Sequence, residues 1–136
     1  MKKVSNIKSK IIRSKNGSII KILSKKKLHN SWKFGEIYIS NFKKNIIKNW
    51  NFHKTQTSSL FVLKGKVKIV VLDKKKFKVF NLDEKIPKTL IIPSKTWYAF
   101  KGLDKKNSLM NLSNKVHNPK NSIKKEIGYF KFNWNK

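Results

Sequence analysis

The chain has no cysteine. This excludes a disulfide framework and any thiolate metal site, and cysteine gives no pointer to an oxidising compartment. Long hydrophobic runs are missing as well. No stretch approaches the roughly 20 apolar residues of a membrane span, and the first eight residues, MKKVSNIK, lack the apolar core of a signal peptide. A soluble, cytoplasmic protein with no membrane partner is expected. Acidic residues are scarce, with 6 Asp and Glu against 34 Lys and Arg, a formal net charge of +28. Arginine is scarcer still, since Arg13 stands alone. Such a charge ordinarily points to nucleic acid. Reading bases and gripping phosphates bidentately both lean on arginine, however, and these lysines are spread along the whole chain. Fifteen asparagines and sixteen isoleucines accompany them, and Lys, Asn and Ile share A/T-rich codons. The charge therefore reads as genome composition displayed on a solvated surface, and no specific nucleic-acid partner is expected. That surface would still attract a polyanion or a phosphorylated substrate at low salt.

What is present suits one domain: 136 residues, 38% apolar and 12% aromatic, enough to fill a single core. No window of a dozen residues keeps apolar residues at helical spacing, whereas strand signals recur. They fall at 18–23 after the Asn16-Gly17 pair, at 34–40, 60–63, 67–72, 77–82, 89–92, 97–101 and 108–112. This spacing predicts an all-β sandwich or barrel. Residues 1–15 carry the least pattern. The closing segment 127–134 is aromatic enough to pack back on the domain. Lys25-Lys26-Lys27 and Lys74-Lys75-Lys76 read as turns, with phosphate contact as the alternative.

His53 is the centrally placed histidine, in the segment NWNFHKTQT (49–57) with lysines at 48 and 54. An imidazole directed into a small barrel can take a proton from carbon while a neighbouring cation steadies the oxyanion. A packing role is the alternative. His29, in a lysine-rich turn, reads as solvated, and His117, ahead of Asn118-Pro119, as shaping a loop.

From about residue 34 to 134 the chain resembles the cupin sugar-nucleotide isomerases, that is, the dTDP-4-dehydrorhamnose 3,5-epimerases and dTDP-4-oxo-6-deoxyglucose ketoisomerases. The resemblance rests on FGEIYIS (34–40), IKNWNFHK (47–54), LKGKVK (63–68), LIIPSKTWYAFKGL (90–103), LMNLS (109–113) with His117-Asn118-Pro119, and Phe132-Asn133-Trp134, all in order. It implies a double-stranded β-helix (the cupin jelly roll) at 34–136, with 1–33 as an N-terminal segment whose first strands pack on the barrel, and a homodimer. It also implies a nucleotide-linked 4-keto-6-deoxy sugar as substrate, in surface-polysaccharide synthesis. The chemistry would be proton abstraction alpha to the ketone, with no cofactor and no metal.

The chain departs from the family pattern where the chemistry sits. Asn51 stands at the base position of the epimerases, Lys48 replaces their arginine, and their catalytic tyrosine aligns approximately with Met110. Of the histidine-x-histidine pair of the ketoisomerases only the second member is present, as His53. The expected catalytic residues are therefore His53 and Tyr98, with Lys48, Trp50, Asn51, Lys54 and Asn111 binding substrate. Two other readings stay open: a non-catalytic cupin that binds a sugar nucleotide or saccharide, and a basic protein that binds polyanions.

Overall fold

The computed structural model describes residues 3–135. Two five-stranded antiparallel sheets face each other. Twelve strands are formed: β1 (Ser5–Lys8), β2 (Lys10–Ser14), β3 (Gly17–Lys21), β4 (Glu36–Lys43), β5 (Ile47–His53), β6 (Ser58–Lys64), β7 (Lys66–Asp73), β8 (Lys76–Asp83), β9 (Lys88–Ile92), β10 (Trp97–Gly102), β11 (Lys106–Ser113) and β12 (Ser122–Lys125). The first sheet runs β1-β9-β6-β11-β4 and the second β12-β5-β10-β7-β8, while β2 and β3 form a separate hairpin. Neighbours in each sheet are mostly distant in sequence, the crossing pattern of a jelly roll.

Period-two alternation builds the core. Leu60, Val62, Leu90, Ile92 and Leu109 from the first sheet meet Val67, Ile69, Val71 and Tyr98 from the second in one buried cluster. The opposite face of the second sheet is also apolar. There Trp50, Val70 and Ala99 are buried beneath Trp134, with Trp97, Ile127, Phe130 and Phe132 packed alongside. Trp50 meets Phe130 edge-on at 5.3 Å between ring centroids and donates from Nε1 to the Ile127 carbonyl at 3.0 Å. The aromatic C-terminal segment thus packs back as its composition predicts.

Residues 1–15 carry the least pattern in the sequence, yet 5–8 form a full strand of the first sheet, Ser5 opposite Ile91 and Ile7 opposite Thr89, and 10–14 form half of the hairpin. These strands are short and interrupted by lysine, so alternation is too brief to stand out. One sequence expectation is corrected: the hairpin turn falls one residue early, Ser14 pairing with Gly17 and leaving Lys15 and Asn16 as the loop. Gly65, in the quoted segment LKGKVK, turns the chain between β6 and β7 with φ +83, a conformation that favours glycine.

Candidate active site

Two facing rows of side chains make the site. On the second sheet, strand register sets Lys124, Asn51, Tyr98 and Val71 in one line. On the first, Tyr38, Asn111, Leu60 and Leu90 form another. Both rows are polar at the end formed by the edge strands β12 and β4 and apolar at the other. Between the polar ends lies a cavity of about 150 Å³, lined by Tyr38, Ser40, Asn51, His53, Tyr98 and Asn111, with His117 and Lys124 also on its wall. His117 comes from the loop joining β11 to β12, which is held by a hydrogen bond from its backbone N–H to Glu36 Oε1 at 3.0 Å.

His53 sits at the end of β5, diagonally across from Tyr98. Its Nε2 lies 3.2 Å from the Tyr98 hydroxyl, and the tautomer decides which of the two donates. The imidazole is buried, with 8% of the residue exposed. Burial is the main reason its pKa is lowered to about 4, with electrostatic contributions from the nearby His117 and Lys124 side chains. Burial likewise pushes the Tyr98 phenol well above its usual value, Tyr38 adding to the rise while Ser58 and Asn111 oppose it. Tyr38 is also raised by burial, opposed by the hydrogen bond it accepts from Asn111 Nδ2 at 2.9 Å. At neutral pH the site therefore holds a neutral imidazole and two neutral phenols. Asn111 Oδ1 is buried with no hydrogen-bond partner, an acceptor placed to meet a ligand hydroxyl. The set can remove a proton from carbon and hydrogen-bond the oxyanion left behind.

The structure gathers four of the seven residues expected from sequence: His53, Tyr98, Asn51 and Asn111. The other three lie outside the cavity. Trp50 is fully buried in the aromatic cluster on the far side of its sheet. A bulge explains the placing of its neighbours, for β5 advances three residues from Lys48 to Asn51 while β10 advances two from Phe100 to Tyr98. Lys48 consequently turns inward, but its Nζ rests 5.9 Å from the centroid of the Phe42 ring. Lys54 is exposed and donates to the Lys120 carbonyl at 3.4 Å. Met110 faces the outer side of its strand, leaving the inward position to Asn111.

Four contributors escaped sequence reading. Tyr38 and Ser40 occupy alternate positions of the quoted segment FGEIYIS, so alternation offered the signal. His117 and Lys124 reach the wall only through tertiary folding. Among the described residues no three His, Cys, Asp or Glu side chains gather closely enough to hold a metal ion. No helix there is long and apolar enough to cross a membrane. Two larger, open depressions of about 470 Å³ lie elsewhere and contain neither histidine nor tyrosine.

The paired sheets with an inward-facing polar cavity define a jelly-roll cupin. More particularly, the family model described as "FdtA: WxcM-like, C-terminal" matches residues 2–134, and the chain belongs to that family. Solved structures share the fold. A dTDP sugar isomerase from Desulfovibrio desulfuricans G20 superposes with a TM-score of 0.81 at 21% identity, covering 93% of this chain and 85% of its own. QdtA, a sugar 3,4-ketoisomerase from Thermoanaerobacterium thermosaccharolyticum in complex with TDP, gives 0.76 at 23% identity over 88% and 86%. The RmlC epimerase of Mycobacterium tuberculosis gives 0.81 at 16% identity over 89% and 68%. A search of curated proteins finds no match.

Proposed function

We propose that the protein is a sugar-nucleotide isomerase or epimerase acting, as a homodimer in the cytoplasm, on a nucleotide-linked 4-keto-6-deoxy sugar for surface-polysaccharide synthesis. The observation that carries this reading is the buried pair of His53 and Tyr98 on the cavity wall, 3.2 Å apart and both neutral at pH 7. A variant of QdtA bound to TDP-4-keto-6-deoxyglucose and a Legionella pneumophila epimerase bound to dTDP-4-keto-L-rhamnose share the fold and supply the substrate class.

His53 Nε2 takes the proton alpha to the ketone. Tyr98 or Tyr38 donates to the enolate oxygen, and the proton then returns to carbon or oxygen. Asn51, Asn111 and Ser40 hydrogen-bond the sugar. A cavity of about 150 Å³ is smaller than the roughly 300–1,000 Å³ of ordinary ligand pockets. It suits the sugar alone, leaving the diphosphate at the rim beside His117 and Lys124. Lys48, Trp50 and Lys54 contribute to the surroundings of the site instead of touching the sugar.

A second reading has its own support. Asn51 and Asn111 cannot carry a proton, and they hold two central places in the polar rows, as they would in a cupin that binds the sugar nucleotide without turning it over. Proton NMR in deuterated buffer with dTDP-4-keto-6-deoxyglucose separates the two. The catalytic reading expects deuterium at C3 or C5 with wild type and none with His53→Ala; saturable binding with no exchange by wild type establishes the binder.

A further inference from the structure

The polar run Gln56-Thr57-Ser58-Ser59 follows His53 and leads into β6. Neither Gln56 nor Ser58 lines the cavity, yet both are buried, as are His53 and Tyr98. Alternation turns Ser58 inward with Leu60, whose side chain lies on the cavity wall, and turns Ser59 to the outer face. A buried polar side chain is costly unless its hydrogen bonds are made. Here the bonds form a line that ends on the histidine. Gln56 Nε2 donates to Ser58 Oγ at 3.1 Å. Ser58 hydrogen-bonds the Tyr98 phenol, whose hydroxyl lies 3.2 Å from His53 Nε2.

The direction of the line follows from what its members can do. An amide nitrogen only donates, so the Ser58 oxygen accepts from Gln56 and its own proton is left to point at Tyr98. Asn111 bonds the same phenol. Its Oδ1 has no partner, so that bond also comes from Nδ2, the nitrogen that donates to Tyr38 at 2.9 Å. The Tyr98 oxygen therefore receives two donors, and the acceptor facing its one proton is His53 Nε2. We propose that Gln56 and Ser58 are positioning residues that, together with Asn111, hold the Tyr98 hydroxyl as a donor to His53 Nε2, so that the resting imidazole carries its proton on Nδ1.

The consequence for catalysis rests on the isomerase reading above. At rest the base is capped by Tyr98. A ketone oxygen brought to Tyr98 offers the phenol proton a second acceptor, and when the hydroxyl turns to it Nε2 is bared and the carbonyl polarised in one motion. The alpha proton then passes to Nε2, the electron pair of the broken C–H bond becomes the enolate, and the step ends with an imidazolium beside an oxyanion that accepts from Tyr98. Gln56 and Ser58 act only through the phenol.

Nitrogen-15 NMR of histidine-labelled protein at pH 7.5, where the imidazole is neutral, reads which ring nitrogen bears the proton, and loss of the signal in His53→Gln assigns it. Alpha-proton exchange from dTDP-4-keto-6-deoxyglucose into deuterated buffer is measured on the same proteins. Wild type should carry the proton on Nδ1. Ser58→Ala, and Gln56→Glu, whose carboxylate accepts from Ser58 and draws its proton away from Tyr98, should move population to the other tautomer and slow exchange about tenfold with KM unchanged. Ser59→Ala should change neither, because that hydroxyl is buried on the outer face with no partner. A wild-type proton on Nε2 overturns the proposal without any variant. So does a folded Ser58→Ala that keeps the wild-type tautomer. A wild type that carries the proton on Nδ1, binds the sugar nucleotide and exchanges nothing overturns the isomerase reading and leaves the hydrogen-bond order standing.

Discussion

Burial of His53 in its neutral form makes stability depend on pH, and His53→Gln should remove that dependence. In the unfolded chain the imidazole binds its proton near the ordinary 6.5, whereas in the fold it does so only at about 4. Between those values the unfolded state holds more protons, so stability is fully present above pH 6.5 and is lost as pH falls towards 4. Linkage puts the loss at about 2 kcal/mol by pH 5 and about 3 kcal/mol by pH 4. His53 is buried, with 8% of the residue exposed, so solvent screens little of this. Urea unfolding of wild type and His53→Gln at pH 7.5, 6, 5 and 4 measures it. Other titrating groups are common to both chains, and the difference between the two curves isolates His53. The wild-type curve should fall further by those amounts. Parallel curves across the whole range would refute a buried neutral imidazole and, with it, the base assigned to the cavity.

Two further outcomes follow from the same geometry. Lys124→Ala should raise the His53 pKa, read from the imidazole proton shifts by NMR, and should weaken binding of dTDP while making it less sensitive to salt. Trp50→Ala should cost about 3–5 kcal/mol in urea unfolding, as expected for a fully buried aromatic removed from a packed cluster, without abolishing deuterium exchange into substrate.

The fold was legible because its strands alternate and its turns carry glycine or lysine clusters, as at Gly65 and Lys74-Lys75. The N-terminal strands were not, since four and five residues broken by lysine hold too little period to read. At the site, the inward residues of regular strands were readable: His53, Asn51, Tyr98 and Asn111 all fall at alternate positions. Trp50, expected to bind substrate, neighbours Asn51 in the chain, and β-structure sends neighbours to opposite faces, so with Asn51 on the cavity Trp50 faces the aromatic cluster. Lys48 was beyond reach of the sequence, for its direction depends on a bulge that only pairing with β10 creates. His117 could be found only through the loop that carries it across the wall.

The site's electrostatics give the surplus of lysine a specific use at one point. A base with a pKa of about 4 is weak at pH 7, yet its depression has causes of different permanence. Desolvation is built into the fold. The repulsion from Lys124 is not, because a diphosphate seated beside it would neutralise it and favour an imidazolium that the cavity otherwise disfavours. On the function proposed above, substrate binding would thus strengthen the base that attacks it, while a neutral sugar entering the same cavity would meet a histidine too acidic in its protonated form to take a carbon-bound proton readily. On this argument selection for a nucleotide-linked substrate does not require contacts with the base or ribose. It follows from placing a lysine on β12 against a buried imidazole.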